Sequence, residues 1–444
     1  MLDRRGFLRS AAGLLLTPFA GLERTRAGHD GREPAAPAGS ESPSPNLPPW
    51  PADDDPRYWE KLRRQFYLNE DEVFFNTATL GSPPRVVVET VARSMRELAA
   101  TIAQWDYKPD RPNWFTGYSP EHPIREKVAR LVHAQPDEIA LTQNATMGAS
   151  FVAMGLDLGS GDEVIQTDQE HVGNKSSWET LARRRGIVWK TLALPVPAND
   201  PEEIVSRVRA AITPRTRVIA WPHVTSQLGT VNPVREICAL ARERGLFSAI
   251  DGAQAVGQIP VDVREIGCDA YYSSPHKWLL APAGNGFLFV RREIASRVWT
   301  TLASGEWGNE KDPGYRLQQR GTGNLSLLLG FEAAIDFFDR VGPDRWFARI
   351  RQLGDHLRDA LGKVENVRIF SSTEPRMCAG MTTWRIEGLS PYRTVDLIWE
   401  RSRLRPRAVS EAWGIRTSTC VYNSEKEIDR LVAVARQLAK ERPD

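Results

Sequence analysis

The sequence has few cysteines, no long apolar run and almost no net charge, and each absence argues against a class of protein. Its four cysteines are far apart and form no metal-binding motif, so no metal is expected. No run of about 18 apolar residues follows the N-terminus, so we expect no membrane-spanning helix. The net charge is +2, with acids and bases interspersed, which argues against a nucleic-acid partner. No glycine-rich dinucleotide-binding or phosphate-binding loop pattern opens a predicted strand–helix unit, which argues against a nucleotide-binding protein.

The cysteines that are present show patterns of buried thiols. Cys238 lies in a helical pattern, and Cys268 begins an apolar strand. The sequence does not exclude a disulfide.

The first 27 residues have the features of an export signal. Residues 3–9 (DRRGFLR) resemble the bacterial twin-arginine signal, a mildly apolar stretch follows at residues 11–20, and residues 25–27 offer a small-x-small cleavage site. The resemblance implies that the twin-arginine machinery exports the folded protein to the periplasm. An uncleaved anchor, or an arginine pair before a short amphipathic helix, is the alternative.

This export signal makes a direct prediction. Replacing both Arg4 and Arg5 with lysine should leave the folded protein in the cytoplasm, because the twin-arginine route reads that pair. The measurement is the protein content of periplasmic and cytoplasmic fractions. The same change at Arg24 and Arg32, outside the motif, is the control. Unchanged periplasmic recovery of the Arg4/Arg5 variant would contradict the interpretation.

The rest of the chain divides by composition and periodicity. Residues 28–55 are rich in Pro, Ser, Gly and Ala and predict a disordered linker. An N-terminal segment (56–76), a large domain (77–340) and a small C-terminal α+β domain (341–444) are expected to follow. In the large domain short apolar strands alternate with helices, which predicts an α/β fold with a doubly wound, mainly parallel sheet. The predicted strands are residues 139–142, 163–167, 187–191, 218–222, 247–250, 270–273 and 286–290, followed by a long connecting helix at 322–341.

Two loops carry unusual residues. Residues 104–123 are aromatic and proline-rich, which is typical either of a packed loop or of one that lines a pocket. Residues 304–315 are expected to help shape a pocket.

One aspartate and one lysine follow neighbouring predicted strands. Asp251 ends an apolar run, and Lys277 follows the next one in the sequence SPHKW. Open α/β sheets bind ligands at this edge. A lysine with apolar surroundings there can form a Schiff base with an aldehyde, and a carboxylate can pair with a protonated pyridine nitrogen. Each residue alone could be ordinary, a surface lysine or a helix N-cap. Together they favour pyridoxal 5′-phosphate (PLP) chemistry.

The residues around both positions resemble a known family. The elements at 251–254 (DGAQ) and 274–278 (SPHKW) are similar to those of the class V aminotransferases of PLP fold type I, which include cysteine desulfurases and isopenicillin N epimerase-like enzymes. The resemblance runs from about residue 74 to the C-terminus. It implies a PLP-binding large domain, a smaller C-terminal domain and a homodimer with shared active sites.

The resemblance also implies how the cofactor is held. His171, in the element EHVGN, would stack on the pyridine ring, with Ala253 on the opposite face. Gln254 would donate to the ring oxygen, and Ser226 stands near that oxygen where many desulfurases carry asparagine. The expected phosphate ligands are Ala145, Thr146, Ser274 and His276, with Thr322 reaching the cofactor of the partner subunit.

The reaction is narrowed by one further position and one missing residue. Arg416 matches the family arginine that binds an amino-acid α-carboxylate, for which a guanidinium fork is suited. Desulfurases carry a cysteine on a loop before this arginine, whereas residues 405–413 contain none and Cys420 lies after it. A persulfide-forming desulfurase is therefore not expected.

We expect Lys277 to remove the α-proton of an amino acid or aminoacylated metabolite. Transamination is the first expectation, and a C–S lyase or an epimerase is the alternative. A periplasmic PLP enzyme that matures the siderophore pyoverdine offers an analogy for such a substrate. An inactive PLP-fold binding module is the third possibility, although the joint presence of Asp251, His171, Lys277 and Arg416 argues against it.

Overall fold

The computed structural model describes residues 47–106, 113–114 and 119–441, with the side chains of 113–114 excepted. The predicted export signal and half of the predicted aromatic loop lie outside these residues. The described helices are α1 (Tyr58–Arg63), α2 (Arg85–Thr101), α3 (His122–Val132), α4 (Ala145–Gly155), α5 (Val172–Arg185), α6 (Pro201–Ala211), α7 (Val234–Glu243), α8 (Val263–Ile266), α9 (Pro313–Leu317), α10 (Leu325–Val341), α11 (Pro343–Leu361), α12 (Pro391–Ser402) and α13 (Glu425–Glu441).

The strands form one large sheet, one small sheet and two short pairs. They are β1 (Val73–Phe74), β2 (Trp105–Asp106), β3 (Asn113–Trp114), β4 (Ile139–Thr142), β5 (Glu163–Thr167), β6 (Val188–Leu192), β7 (Thr216–Pro222), β8 (Phe247–Asp251), β9 (Ala270–Ser273), β10 (Gly286–Val290), β11 (Val367–Ile369), β12 (Met381–Ile386), β13 (Leu404–Arg405), β14 (Arg407–Ser410) and β15 (Gly414–Ser418).

The large sheet has the order β4-β10-β9-β8-β7-β5-β6. Only β10 runs against its neighbours, β4 and β9. The other pairs are parallel. The predicted α/β fold with a mainly parallel sheet is confirmed, and the seven predicted strands lie within two residues of the observed ones.

Both faces of this sheet are buried, as expected for a parallel sheet covered by helices. Alternate residues of one strand enter different cores because side chains alternate along a strand. On β10, Phe287 and Phe289 belong to one apolar cluster. Leu288 and Val290 belong to the other.

The small sheet has the order β11-β12-β15-β14, with antiparallel pairs throughout. Its apolar face and α11, α12 and α13 enclose a third core. The segment predicted as separate at 56–76 contributes to it: β1 pairs in parallel with β13, and Val73 and Phe75 are buried in this core. The end of this segment thus extends the small domain, whereas Tyr58, Leu62 and Phe66 belong to a core of the large sheet.

The end of the predicted linker is ordered on the protein. Trp50 packs edge-to-face on Phe337 of α10, with 5.3 Å between ring centroids. Gln65 Nε2 donates to the carbonyl of Pro48 at 2.9 Å. Residues 47–55 therefore pack on the fold, which corrects the linker prediction for this stretch. Apolar contact by a tryptophan outweighs the surrounding proline-rich composition.

Among residues 47–106 and 119–441, no helix is both long and apolar enough to cross a bilayer.

Candidate active site

The site lies at the carboxyl edge of the large sheet. Asp251 is the last residue of β8, and its register partners are Pro222 on β7 and Tyr272 on β9. Lys277 follows β9 by four residues, and His171 follows β5 by four residues. Because these strands are parallel, their carboxyl ends bring the three predicted catalytic residues to one edge.

Asp251 is a buried carboxylate held by main chain. It is 6% exposed, and its Oδ1 accepts a hydrogen bond from the Ala253 amide at 2.8 Å. Burial raises its pKa, although the bond from Ala253 and the charge of Lys277 oppose the shift. A cationic group here would offset the cost of burying the charge, which suits a protonated ring nitrogen.

A second acid, Glu170, lies close by. Its pKa is raised well above its usual range by burial and then by the negative charge of Asp251. Oε1 accepts from the His171 amide at 2.7 Å, and Oε2 is buried without a partner among the described residues. The negative charge of Asp251 thus opposes ionisation of Glu170.

Lys277 is held under a loop. It is 9% exposed, and no hydrogen bond of its amine is found within the described residues. The Gly81 amide donates to the His276 carbonyl at 2.8 Å, and a Cβ at Gly81 would lie 2.1 Å from the Lys277 carbonyl oxygen. Glycine at position 81 thus lets the loop close over the lysine.

Burial lowers the pKa of Lys277 to about 8, with Arg416 and Arg407 acting in the same direction and Asp251 against it. At pH 7 roughly one such lysine in ten is neutral, against roughly one in three thousand for an ordinary lysine. The neutral amine is the form that attacks an aldehyde.

This shift predicts the pH dependence of cofactor capture. The rate at which the apoprotein takes up PLP covalently should rise with pH and level off above about 8, because the pKa of Lys277 is lowered to about 8. Stopped-flow absorbance measures it. Binding of pyridoxamine phosphate, which has no aldehyde, is the control and should not follow this ionisation. A rate that keeps rising towards pH 10 would contradict the lowered pKa.

His171 caps α5 and has a defined proton position. Its Nδ1 accepts from the Gly173 amide at 3.0 Å, so the neutral ring carries its proton on Nε2. The residue is exposed towards the cleft, yet the surrounding protein lowers its pKa, first by burial and then through the charge of Lys277. Both effects favour the neutral ring.

The predicted phosphate ligands meet at the start of α4. The Ala145 amide donates to Ser274 Oγ at 2.8 Å, and Asn144 Oδ1 caps the helix by accepting from Met147 at 2.9 Å. A Cβ at Gly173 would lie 2.3 Å from Thr146 Oγ1, so glycine allows the starts of α4 and α5 to approach each other. Amides at a helix N-terminus bind phosphate well.

The two other predicted phosphate ligands, His276 and Thr322, differ in burial. Burial lowers the pKa of His276 to about 4, and its Nδ1 is buried without a partner among the described residues. A neutral ring there can donate to a phosphate. Thr322 is exposed in the segment before α10. Its predicted contact requires a second subunit and stays a prediction.

Gln254 and Ser226 have clear structural contacts. Gln254 Oε1 accepts from Trp278 Nε1, and its Nε2 donates to the Ala78 carbonyl, both at 2.8 Å. One N–H of Gln254 is left for the predicted bond to the ring oxygen. The carbonyl of Ser226, rather than its hydroxyl, meets Arg416 Nη1 at 2.6 Å. Ser226 thus positions the arginine.

Arg416 is 4% exposed on β15. Its Nη2 donates to Asn76 Oδ1 at 2.9 Å and to Thr79 Oγ1 at 2.7 Å. Burial and then the charge of Arg407 lower its pKa to about 9. No carboxylate of the described residues forms an ion pair with it, which leaves its charge for a ligand.

The sequence-based interpretation missed three polar residues around Arg416: Asn76, Thr79 and Arg407. The first two reach it from about 340 positions earlier in the chain. No local pattern indicates such a contact. Arg407 was visible as an arginine in the stretch before Arg416, but that stretch was interpreted only for its lack of cysteine.

All four cysteines are buried and free of disulfides. Burial raises the pKa of Cys420 to about 12. The connection between β14 and β15 is only residues 411–413. Residues 405–413, where desulfurases were expected to carry a reactive cysteine, are thus mostly β14 and this short turn, and they contain none.

Together these residues fit PLP: a helix start for the phosphate, a buried carboxylate for the ring nitrogen, an amine with a lowered pKa and an arginine for a substrate carboxylate. The unpartnered buried atoms His276 Nδ1 and Arg416 Nε lie among these groups. Buried polar atoms are normally paired, so they suggest a site shaped for ligands.

Known proteins share this fold and sequence. Residues 73–431 match the family described as Aminotransferase class-V. The isopenicillin N epimerase of Streptomyces clavuligerus is 32% identical over 392 residues, 84% of this chain and 96% of that protein. A probable cysteine desulfurase of Xylella fastidiosa (strain 9a5c) is 27% identical over 410 residues, 86% of this chain and 96% of that protein.

A solved structure agrees in fold. A lysine-to-alanine mutant of C-DES, with glycine covalently linked to its PLP cofactor, superposes with a TM-score of 0.74 at 24% identity, covering 85% of this chain and 98% of that one. The cofactor predicted from Asp251 and Lys277 is confirmed. The chain belongs to the class V aminotransferase family of PLP-dependent enzymes.

Proposed function

We propose that this protein is an epimerase that inverts the α-carbon of an amino acid or aminoacylated substrate. The observation that carries the proposal is the pairing of two proton carriers, Lys277 and His171, at the edge that also holds Asp251 and Arg416. The similarity to an isopenicillin N epimerase over most of both chains supports it.

Arg416 binds and orients the substrate carboxylate. Its guanidinium is fixed by Ser226, Asn76 and Thr79, so little side-chain entropy is lost when a carboxylate binds. A fixed carboxylate also fixes where the α-carbon lies, which is how orientation contributes to rate.

Lys277 accepts the α-proton. Its pKa of about 8 is close to neutral, where an acid–base group is most effective. Bound PLP supplies an electron sink that makes this proton acidic. Asp251 keeps the ring nitrogen protonated through its buried negative charge.

His171 provides the second proton position. Its Nδ1 accepts from the Gly173 amide, so Nε2–H is the proton donor that faces the cleft. To deliver that proton the ring gains one at Nδ1 in exchange for the Gly173 hydrogen bond, and it returns to a neutral form when Nε2 gives its proton up. Inversion requires a proton to be delivered to a face other than the one it left. The placement of two carriers on different strand ends, after β5 and after β9, supports such delivery.

Transamination, the first expectation from sequence, is the second candidate. The Lys277 amine has no hydrogen-bond partner within the described residues, so the side chain can carry a proton from the α-carbon to the cofactor carbon. A single mobile carrier is sufficient for that outcome. The two reactions share their first step and differ in where the proton returns.

Desulfuration is disfavoured by the thiols. A persulfide enzyme needs an accessible cysteine to receive sulfur, whereas all four cysteines here are buried. A buried thiol with a raised pKa, such as Cys420, is a poor nucleophile.

The test is product analysis on the PLP-loaded protein. Single enantiomers of a panel of amino acids are incubated with it, and the opposite enantiomer, the 2-oxo acid and sulfide are measured. Accumulation of the opposite enantiomer supports the proposal. Formation of a 2-oxo acid together with pyridoxamine phosphate would contradict epimerisation and support transamination. Rapid release of sulfide from cysteine would contradict both reactions.

A further inference from the structure

Two arginines lie directly opposite each other on neighbouring strands. Arg407 on β14 is the register partner of Arg416 on β15 in an antiparallel pair. Directly opposed residues of such a pair project from the same face, and like charges there destabilise the sheet. A ligand of opposite charge would offset this cost.

The described residues do not neutralise either arginine. No carboxylate among them forms an ion pair with Arg407 or Arg416. Both guanidinium groups donate instead to one neutral hydroxyl, Thr79 Oγ1, at 2.7 Å each. Thr79 in turn donates to Asn76 Oδ1 at 2.7 Å. The positive charge of the two arginines is therefore available to bind an anion.

The two arginines lie at different depths. Arg416 is 4% exposed, whereas Arg407 is exposed to solvent. Arg416 alone is needed for a substrate α-carboxylate, as family resemblance implied. Arg407 lies nearer the protein surface than Arg416.

A cavity of about 370 Å³ lies beside Arg407. It is lined by Asn76, Arg405, Arg407, Ala408, Tyr392 and Asp396, among others. Asn76 also accepts from Arg416, so the cavity adjoins the carboxylate anchor. The Arg405 guanidinium lies 4.2 Å from the centroid of the Trp399 ring. Arg405 and Arg407 are the two cations of this lining, and Asp396, a carboxylate of the same lining, forms no ion pair with the described residues. Of the two cations, Arg407 is the one that shares Thr79 with Arg416.

We propose that Arg407 binds a second carboxylate of the substrate, so that the enzyme selects amino acids with an anionic side chain over uncharged ones of the same length. This specificity rests on the proposed function only in assuming that Arg416 holds the α-carboxylate. A guanidinium offers two parallel N–H donors that match the two oxygens of a carboxylate.

The test compares two ligands that carry no amine and so cannot react. Glutarate has two carboxylates, and glutaramate has the same length with one of them replaced by an amide. Calorimetry on the PLP-loaded protein should show glutarate binding about tenfold more tightly, since a charge-assisted pair replaces a neutral hydrogen bond. Equal binding of the two, or no binding of either, by the wild-type protein would overturn the proposal.

Two variants then test whether Arg407 is the source of the preference for glutarate. Arg407→Gln keeps a donor for Thr79 and should bring the two affinities close to parity by weakening glutarate alone. Arg368→Gln, which removes an exposed positive charge from β11 of the same sheet, is the control and should keep the preference. Equal weakening of both ligands in Arg407→Gln would show that Arg407 shares the first carboxylate, which contradicts the proposal.

The outcome is independent of the reaction. Glutarate and glutaramate report binding even if no amino acid is turned over, so a failed epimerase assay leaves the preference measurable. Conversely, an active epimerase without the preference would overturn the role of Arg407 alone. Turnover of glutamate against glutamine then checks whether the selectivity extends to substrates.

Discussion

Lys277→Ala should abolish turnover and remove the covalent link between the protein and PLP. The amine is the only group we assign to both covalent capture and α-proton removal, and burial lowers its pKa to about 8 for these tasks. Loss of a positioned acid–base group costs about 10²–10⁴-fold. Loss of covalent capture adds to this, so activity should fall below detection.

The measurement is borohydride reduction followed by peptide mapping. Wild-type protein should carry the reduced pyridoxyl group on Lys277, and the variant should carry none while still binding PLP loosely through the start of α4. Lys363→Ala, at an exposed lysine, is the control and should behave as wild type. A pyridoxyl group found on another lysine of the wild-type protein would refute the assignment.

Asp251→Asn should lower turnover by about a hundredfold or more with the fold intact. Asparagine has nearly the same shape, and its side-chain oxygen can still accept from the Ala253 amide as Asp251 does at 2.8 Å. The negative charge that holds the ring nitrogen protonated is lost, and preorganised charges of this kind contribute about 10²–10³-fold.

A second aspartate of the same sheet provides the control. Asp269 is buried, accepts from the Ser248 amide at 2.9 Å and pairs with Arg291, away from the cofactor residues. Asp269→Asn should lower the melting temperature yet leave kcat of the folded enzyme unchanged. A near wild-type rate for Asp251→Asn would show that the ring nitrogen does not need this carboxylate.

Local patterns were sufficient to predict the sheet and its reactive edge. Strands such as β8 and β9 are short, mainly apolar and buried on both faces, so each appears in the sequence as a short, mostly apolar run. A polar residue directly after such a run, like Asp251, then lies at the strand end. Lys277 could be placed in the same way, whereas the role of His171 was implied by the family resemblance.

Contacts between distant segments could not be predicted. Asn76 and Thr79 reach Arg416 across most of the chain, and the pairing of β1 with β13 joins residues about 330 positions apart. Nothing in the sequence near residue 76 differs from an ordinary turn. The proposed role of Arg407 follows only from its position opposite Arg416 in the sheet. That register depends on the turn at residues 411–413.

The most direct test of the account is deuterium exchange at the substrate α-carbon. The PLP-loaded enzyme is incubated in D₂O with one enantiomer of an amino acid, and deuterium content and configuration are followed together by mass spectrometry and chiral chromatography. The account predicts deuterium in the α-position with appearance of the opposite enantiomer, both lost in Lys277→Ala and with inversion preferentially lost in His171→Ala. No α-exchange in any amino acid of the panel, acidic ones included, would contradict it.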